Sequence, residues 1–364
     1  MDRLQGKILV VSVFLLWTGL LFVYSASFPL SVRAYGHPFG YLERQVLGAV
    51  VGMLALGVLW RVDYHRWAQV DDILLVGVFF LAALTLVPGI PGGGRWLGLG
   101  PATLQPTELG KVALVLYMGG SLARRGEEIK HFRAGIVPYL CVLAAFGVVL
   151  VLQPDLGMLL LYACMAGFLL WAGGARLSHL LAVGAGSLPV LAGLMAAAPY
   201  RMGRLLAFLD PGGYQETYAY QVYQSLMAIG AGGVLGRGLG ASRAKLFYLP
   251  EAHNDFVFAV VAEETGLLGA GIVVSLLAGL VFFGYQAARR APDRLGALYA
   301  LGATFALGFQ MLLNLGVVVG ALPVTGLTLP FLSYGGSSLA VTLALVGLIL
   351  GVARQGLSRE EARV

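Results

Sequence analysis

Leu249-Pro250-Glu251-Ala252-His253-Asn254-Asp255 gathers three ionisable side chains just before a long apolar run. Asp255 falls at the boundary between water and lipid. A carboxylate half out of water and without a partner has a raised pKa, which suits a general base. The competing role is an N-cap, common for Asp at a helix start. Asn254 could cap equally well, and Glu251 and His253 set further ionisable groups beside Asp255. On position alone the two readings of Asp255 stand level.

Glu108 and Lys111 lie three residues apart in another apolar run. That spacing puts them on one helix face, where they can neutralise each other. A structural ion pair is the plain reading, although charges inside a membrane mark sites by default. Glu263 and Glu264 are adjacent, so at least one must face the bundle interior, and a structural role is expected for them. Gly94-Arg95-Trp96-Leu97, the turn Gln153-Pro154-Asp155-Leu156-Gly157, and Leu322-Pro323-Val324-Thr325-Gly326 through Ser333-Tyr334-Gly335-Gly336-Ser337-Ser338 are Gly- and Pro-broken. Broken backbone at membrane depth is tolerated only where it is buried in protein or lines a cavity. Trp96 could line such a cavity, or serve as an interfacial belt residue.

These residues must be positioned by membrane helices. The chain has 364 residues, 59% hydrophobic and 12% charged, with a mean hydropathy of +0.83. A soluble domain carries roughly twice that charge. The apolar residues fall in blocks of helix-spanning length, and nothing alternates as spanning strands would. The expectation is an all-α, single-domain membrane protein with ten spans at 8–28, 45–60, 73–88, 107–123, 135–152, 156–172, 177–199, 256–285, 296–319 and 337–352. The second and last are short, about 16 residues, which implies local bilayer thinning or an extended end. The first run is too long for a cleaved signal and lacks a small-residue cleavage site. Cys141 and Cys164 sit in apolar runs and read as small hydrophobes.

Lys and Arg set the orientation. With the N-terminus inside, the inner segments hold Arg3, Lys7, Arg61, Arg66, Arg124, Arg125, Lys130, Arg133, Arg176, Arg289, Arg290, Arg294, Arg354, Arg359 and Arg363. The short outer loops hold Arg33, Arg44 and Arg95. Both termini are therefore cytoplasmic, and 89–106, 153–155, 200–255 and 320–336 all face outward. The net charge of +6 follows this topology and does not call for nucleic acid. The outer segment 200–255 is long enough to carry function. It contains Tyr200-Arg201-Met202-Gly203-Arg204 and Gly213-Tyr214-Gln215, and its stretch 220–235 suggests a re-entrant or interfacial helix. Gly236-x-Gly238-x-x-Ala241 matches a dinucleotide fingerprint on paper, but it follows no strand and opens no βαβ unit.

At these residues the sequence resembles the SEDS family (shape, elongation, division and sporulation) of RodA and FtsW. The resemblance runs from the second span to the tenth. Gly94–Leu97 and Gln105-Pro106-Thr107-Glu108-Leu109-Gly110-Lys111 match family patterns, with Thr107 for Ser. Gln153–Gly157 matches without change. Leu249–Phe256 matches with Asn254 for Thr, and the Pro323–Ser338 motif is complete. Thr265 stands for Leu and Ala244 for Gln. The short N-terminal tail and lack of a long C-terminal extension look more like RodA than FtsW.

The resemblance implies a glycan-strand polymerase joining lipid II units during cell elongation, beside a class B penicillin-binding protein. It implies Asp255 as catalytic base. Trp96, Glu108, Lys111, Asp155, Glu251 and His253 are the substrate-binding candidates, and Arg44, Arg204 and Lys245 are added as basic, outward-facing groups for pyrophosphate. The resemblance fixes no cofactor, and a divalent cation is compatible with it. Attack by a sugar hydroxyl needs a base, and an acidic pyrophosphate leaving group needs positive charge more than a proton donor. Two other readings use the same features: a flippase for that lipid, or a non-catalytic scaffold. A transporter would tend to show repeated halves, which are not evident, and a scaffold leaves Asp255 unexplained.

Overall fold

The computed structural model describes residues 3–361 other than 101, 211, 215, 216 and 218, so Gln215 and Arg363 lie outside the described residues. The helices in chain order are α1 (Arg3–Tyr35), α2 (Gly40–Arg61), α3 (Tyr64–Trp67), α4 (Asp71–Leu84), α5 (Pro106–Arg125), α6 (Val137–Leu152), α7 (Leu156–Ala172), α8 (Leu177–Ala196), α9 (Pro199–Leu209), α10 (Tyr220–Gly232), α11 (Val257–Arg289), α12 (Arg294–Val318) and α13 (Gly336–Glu361). All but α3, α9 and α10 fall on the ten apolar blocks, and the fold is an all-α membrane bundle. Among the described residues seven helical segments are long and apolar enough to cross a membrane on length and composition alone. The other three are the shorter α4 and α7 and the more polar α5.

The expected short spans are corrected. α2 has 22 residues and α13 has 26. Charged residues such as Glu43, Arg44 and Arg61 sit in the end turns of α2, where hydropathy falls but backbone hydrogen bonding continues. Hydropathy reads lipid contact, whereas the helix ends where its backbone bonds end. A small antiparallel hairpin, β1 (Leu97–Leu99) and β2 (Ala102–Leu104), also stands in the outer loop before α5.

α13 forms the centre, with most of its spanning part buried, and lies along α2. A Cβ on Gly48 would come 2.5 Å from Gly336 Cα, and one on Gly347 would come 2.6 Å from Leu56 Cα. Small residues let these two backbones approach closely, which is how membrane helices gain packing without a hydrophobic effect between them.

α11 is broken at Gly266 (φ 68°, ψ −169°). The amides released there are reused, because Leu267 and Leu268 donate to the carbonyls of Gly233 and Val234. In return Arg237 and Gly238 donate to the carbonyls of Glu263 and Glu264. The glycine cluster that mimics a nucleotide fingerprint is half of this joint. Both glutamates are buried, as expected for a structural role. Glu263 accepts from Arg237 Nη1 at 3.1 Å and Ser242 Oγ at 2.6 Å. Glu264 accepts from Lys245 Nζ at 2.8 Å and Ser25 Oγ at 2.7 Å.

The irregular segment 320–335 is held by side chains of neighbouring helices. Gln310 Nε2 donates to Thr328 O, and Asn314 Nδ2 donates to Leu327 O and to Asp255 O. Ser333 Oγ donates to Asn254 O, and Gln45 bridges Ser333 O and the Gly335 amide. Buried backbone groups need such partners, and here they fix 320–335 against 251–256.

Candidate functional site

A cavity of about 530 Å³ opens where the four outward segments meet. That volume is within the range of small-ligand sites. Asp255, Glu251 and Asn254 form one wall, Asp155 and Pro154 another, and Arg204 and Tyr200 of α9 a third. Arg95, Trp96 and Glu108 come from the hairpin loop and α5, and Thr325–Thr328 and Tyr334 close the remaining side.

Each wall is fixed locally. Asp155 caps α7, accepting from the Met158 amide at 3.1 Å. Arg95 donates to the carbonyls of Gln153 and Pro154, both at 2.5 Å, and its Nη1 lies 3.8 Å from Asp155 Oδ2. The hairpin is tied to α13 through Ser337, which donates to Thr103 O and accepts from the Gln105 amide. Glu251 holds a left-handed backbone (φ 56°), the turn that aims 251–255 at the cavity. Tyr334 N donates to His253 O at 2.9 Å.

Asp255 does not cap α11: Phe256 occupies the N-cap position, and no side-chain cap bond is made there. Its Oδ1 is buried without a hydrogen-bond partner among the described residues. Burial first, then the neighbouring Glu251, push its pKa up to about 7, against the pull of Arg204. Burial likewise raises Asp155, with Arg95 opposing. The site therefore holds one carboxyl poised near neutrality among three others, Glu108, Asp155 and Glu251, and two guanidinium groups. Such a group can accept a proton from a bound hydroxyl while Arg204 and Arg95 face developing negative charge.

The structure brings Asp255, Trp96, Glu108, Asp155, Glu251 and Arg204 together and leaves four candidates elsewhere. Lys111 is not a cavity group. It is 1% exposed, with Nζ 2.5 Å from Glu108 Oε2 and 2.7 Å from Gln310 Oε1, so it has no free path to a phosphate. Its i, i+3 spacing put it beside Glu108 but could not show that Gln310 of α12 closes over it. Lys245 is committed to Glu264 and Ser25 in the α11 joint, away from the cavity. His253 is buried, its ring packed edge-on to Tyr41 and tilted against Tyr334, and burial lowers its pKa, so the imidazole is neutral. Arg44 lies near the outer end of α2, beside a neighbouring pocket. Arg95, Tyr334 and Asn254 are the cavity residues that composition did not single out. Arg95 and Tyr334 stand inside the Gly- and Pro-broken motifs and Asn254 inside Leu249–Asp255, and those motifs are their signal. Among the described residues no group of three or more His, Cys, Asp or Glu side chains is spaced to hold a metal ion.

A multi-pass helical bundle that buries broken loops around an outward-facing acidic cavity defines a class of membrane-embedded site proteins. The model of the FtsW, RodA and SpoVE cell cycle proteins matches residues 7–357. A probable peptidoglycan glycosyltransferase FtsW of Geobacter sp. (strain M18) is 40% identical over 97% of this chain and 98% of its own. Stage V sporulation protein E of Bacillus subtilis (strain 168) is 38% identical over 95% and 96%. Among solved structures, a chain of a peptidoglycan synthase complex coordinating polymerization and crosslinking aligns with TM-score 0.78 and 29% identity over 96% of this chain and 97% of that chain. The rod shape determining protein RodA of Thermus thermophilus aligns with TM-score 0.68 and 28% identity over 96% of each chain. The chain belongs to the SEDS family, the FtsW, RodA and SpoVE cell cycle proteins, and is a multi-pass protein of the bacterial inner membrane.

Proposed function

We propose that Asp255 is the general base of a glycan polymerisation step at the outer face of the membrane. The chain is a peptidoglycan glycosyltransferase, in keeping with relatives that carry that name, and its substrate in this reading is lipid II. The 4-hydroxyl of one sugar attacks the anomeric carbon of a lipid-linked disaccharide. As the new C–O bond forms, the bond from that carbon to the pyrophosphate oxygen breaks. The hydroxyl proton passes to Asp255, and the polyprenyl pyrophosphate leaves with the electron pair, its charge met by Arg204. Trp96 offers a ring to a sugar face.

The observation that carries this reading is the Asp255 carboxyl, whose buried Oδ1 has no hydrogen-bond partner among the described residues, uncommitted to helix capping and set in a cavity with two cations. Relatives near 40% identity are named FtsW, which favours a role in division over the elongation suggested by the short tails. The likeness to a chain of a polymerising and crosslinking complex supports a class B penicillin-binding protein as partner.

Asp255→Asn tests the assignment. Asn keeps the size of the side chain but cannot accept the proton, and loss of a general base costs about 10²–10⁴-fold in rate. The variant is expected to insert and fold normally and to make almost no glycan from purified lipid II. Polymerisation at the parent rate would overturn the role of Asp255.

A further inference from the structure

Resting on the Asp255 reading, we infer that Asn314 is a positioning residue for the polymerisation step. Its side-chain amide holds the backbone of the base against the facing wall of the cavity, and so sets how far the Asp255 carboxyl stands from a bound hydroxyl.

Asn314 lies on α12, is 1% exposed and does not itself line the cavity. Its Nδ2 donates to Asp255 O at 2.8 Å and to Leu327 O at 2.7 Å. Both partners are carbonyls, which only accept, so the amide can meet them only through its nitrogen. One planar group thereby ties the residue that carries the carboxyl to the opposite wall, Thr325–Thr328. Gly326, next to Leu327, makes the approach close: a Cβ there would stand 3.8 Å from Asp255 Oδ2.

That wall depends on side chains for its shape. Among the described residues Pro323–Thr328 makes no hydrogen bond from main chain to main chain. Its carbonyls are met instead by Arg204 Nη1 at Val324, by Asn314 at Leu327 and by Gln310 at Thr328. Gln310 and Asn314 are four apart on one helix, so they share a face and present their amides at a fixed spacing. On the side of the base, Tyr334 N holds His253 O, Ser333 Oγ holds Asn254 O, and Asn314 holds the carbonyl of Asp255 itself. A rigid helix is a better reference for a reacting group than a loop. A shift of about 1 Å at a reacting group can cost about 10²-fold in rate.

The test is steady-state lipid II polymerisation by full-length Asn314→Leu between pH 5 and 9, with its melting temperature measured beside it. Leu is close to Asn in shape and has no donor, so both carbonyls are released. At pH 8 kcat is expected to fall about 10- to 100-fold. KM for lipid II should change by less than about threefold, because every group lining the cavity is kept. Asp255 faces Glu251 and His253 on its own turn, Glu108 on α5, Asp155 on α7, Arg95 before α5 and Arg204 on α9. All of these remain, so a carboxyl freed toward water should show an acid limb at lower pH than the parent's. Asn314→Ala vacates room for a water that can meet both carbonyls; it should show the same split to a smaller degree, and it decides the matter if the Leu variant does not fold. A parent kcat in the deciding variant, a loss carried by KM, a reduced kcat with an unmoved acid limb, or failure of both variants to fold would each overturn the proposal. Polymerisation by Asp255→Asn at the parent rate would instead overturn the Asp255 reading, whatever the Asn314 variants do.

Discussion

Glu251→Gln should make the enzyme more active in mild acid. Asp255 must be ionised to accept a proton, so activity is lost as pH falls through its pKa, about 7. After burial, Glu251 is the next largest influence holding that value up. A nearby like charge in a medium of effective dielectric about 20 is worth on the order of 1–2 kcal/mol, or about one pH unit. Removing it should move the acid limb from about 7 to roughly 6. At pH 6 the ionised fraction then rises from about one-tenth to about one-half, roughly a fivefold gain, while at pH 8 the change is negligible. Gln preserves the shape of Glu251 and leaves its left-handed backbone no more strained than before. The assay is the initial rate of lipid II polymerisation between pH 5 and 9 with saturating substrate. An unmoved limb, or one displaced to higher pH, would refute the electrostatic account of Asp255.

Arg204→Gln removes a cation that lowers the same pKa, so its acid limb should move to higher pH; a pH profile read beside the overall rate separates this from lost substrate charge. The folded state raises the Asp255 pKa, so stability falls as pH rises from the ordinary carboxyl value of 3.8 through about 7. Asp255→Asn should therefore melt higher than the parent at pH 8, by up to a few kcal/mol, with the gap closing toward pH 4. Lys111→Met leaves the buried Glu108 carboxylate unpaired, at a cost of about 3–5 kcal/mol; the double variant Glu108→Gln, Lys111→Met should recover most of that in thermal unfolding. Gly266→Ala would place a Cβ 2.3 Å from Gly236 N on a left-handed backbone, so detergent-solubilised yield and melting temperature should both fall sharply.

The fold class, the ten apolar blocks and the outward direction of the broken loops were legible in the sequence, because each depends on local quantities. Transfer of about twenty residues into lipid depends on their own side chains, and the Lys and Arg asymmetry needs no contact to be known. Asp255 was legible as one of two readings. Capping and general-base roles call for the same residue type at the same place, and the tertiary structure removes only the first, by giving the cap position to Phe256. The fates of the basic residues were not legible. Lys111, Lys245, Arg44 and Arg204 are all cations by type, and which of them faces the cavity depends on partners far away in the chain. Gln310 lies 199 positions from Lys111, and Ser25 lies 220 from Lys245. A buried charge must find a partner wherever the bundle supplies one, so only the packed structure separates cations committed to helix joints from those that line a pocket.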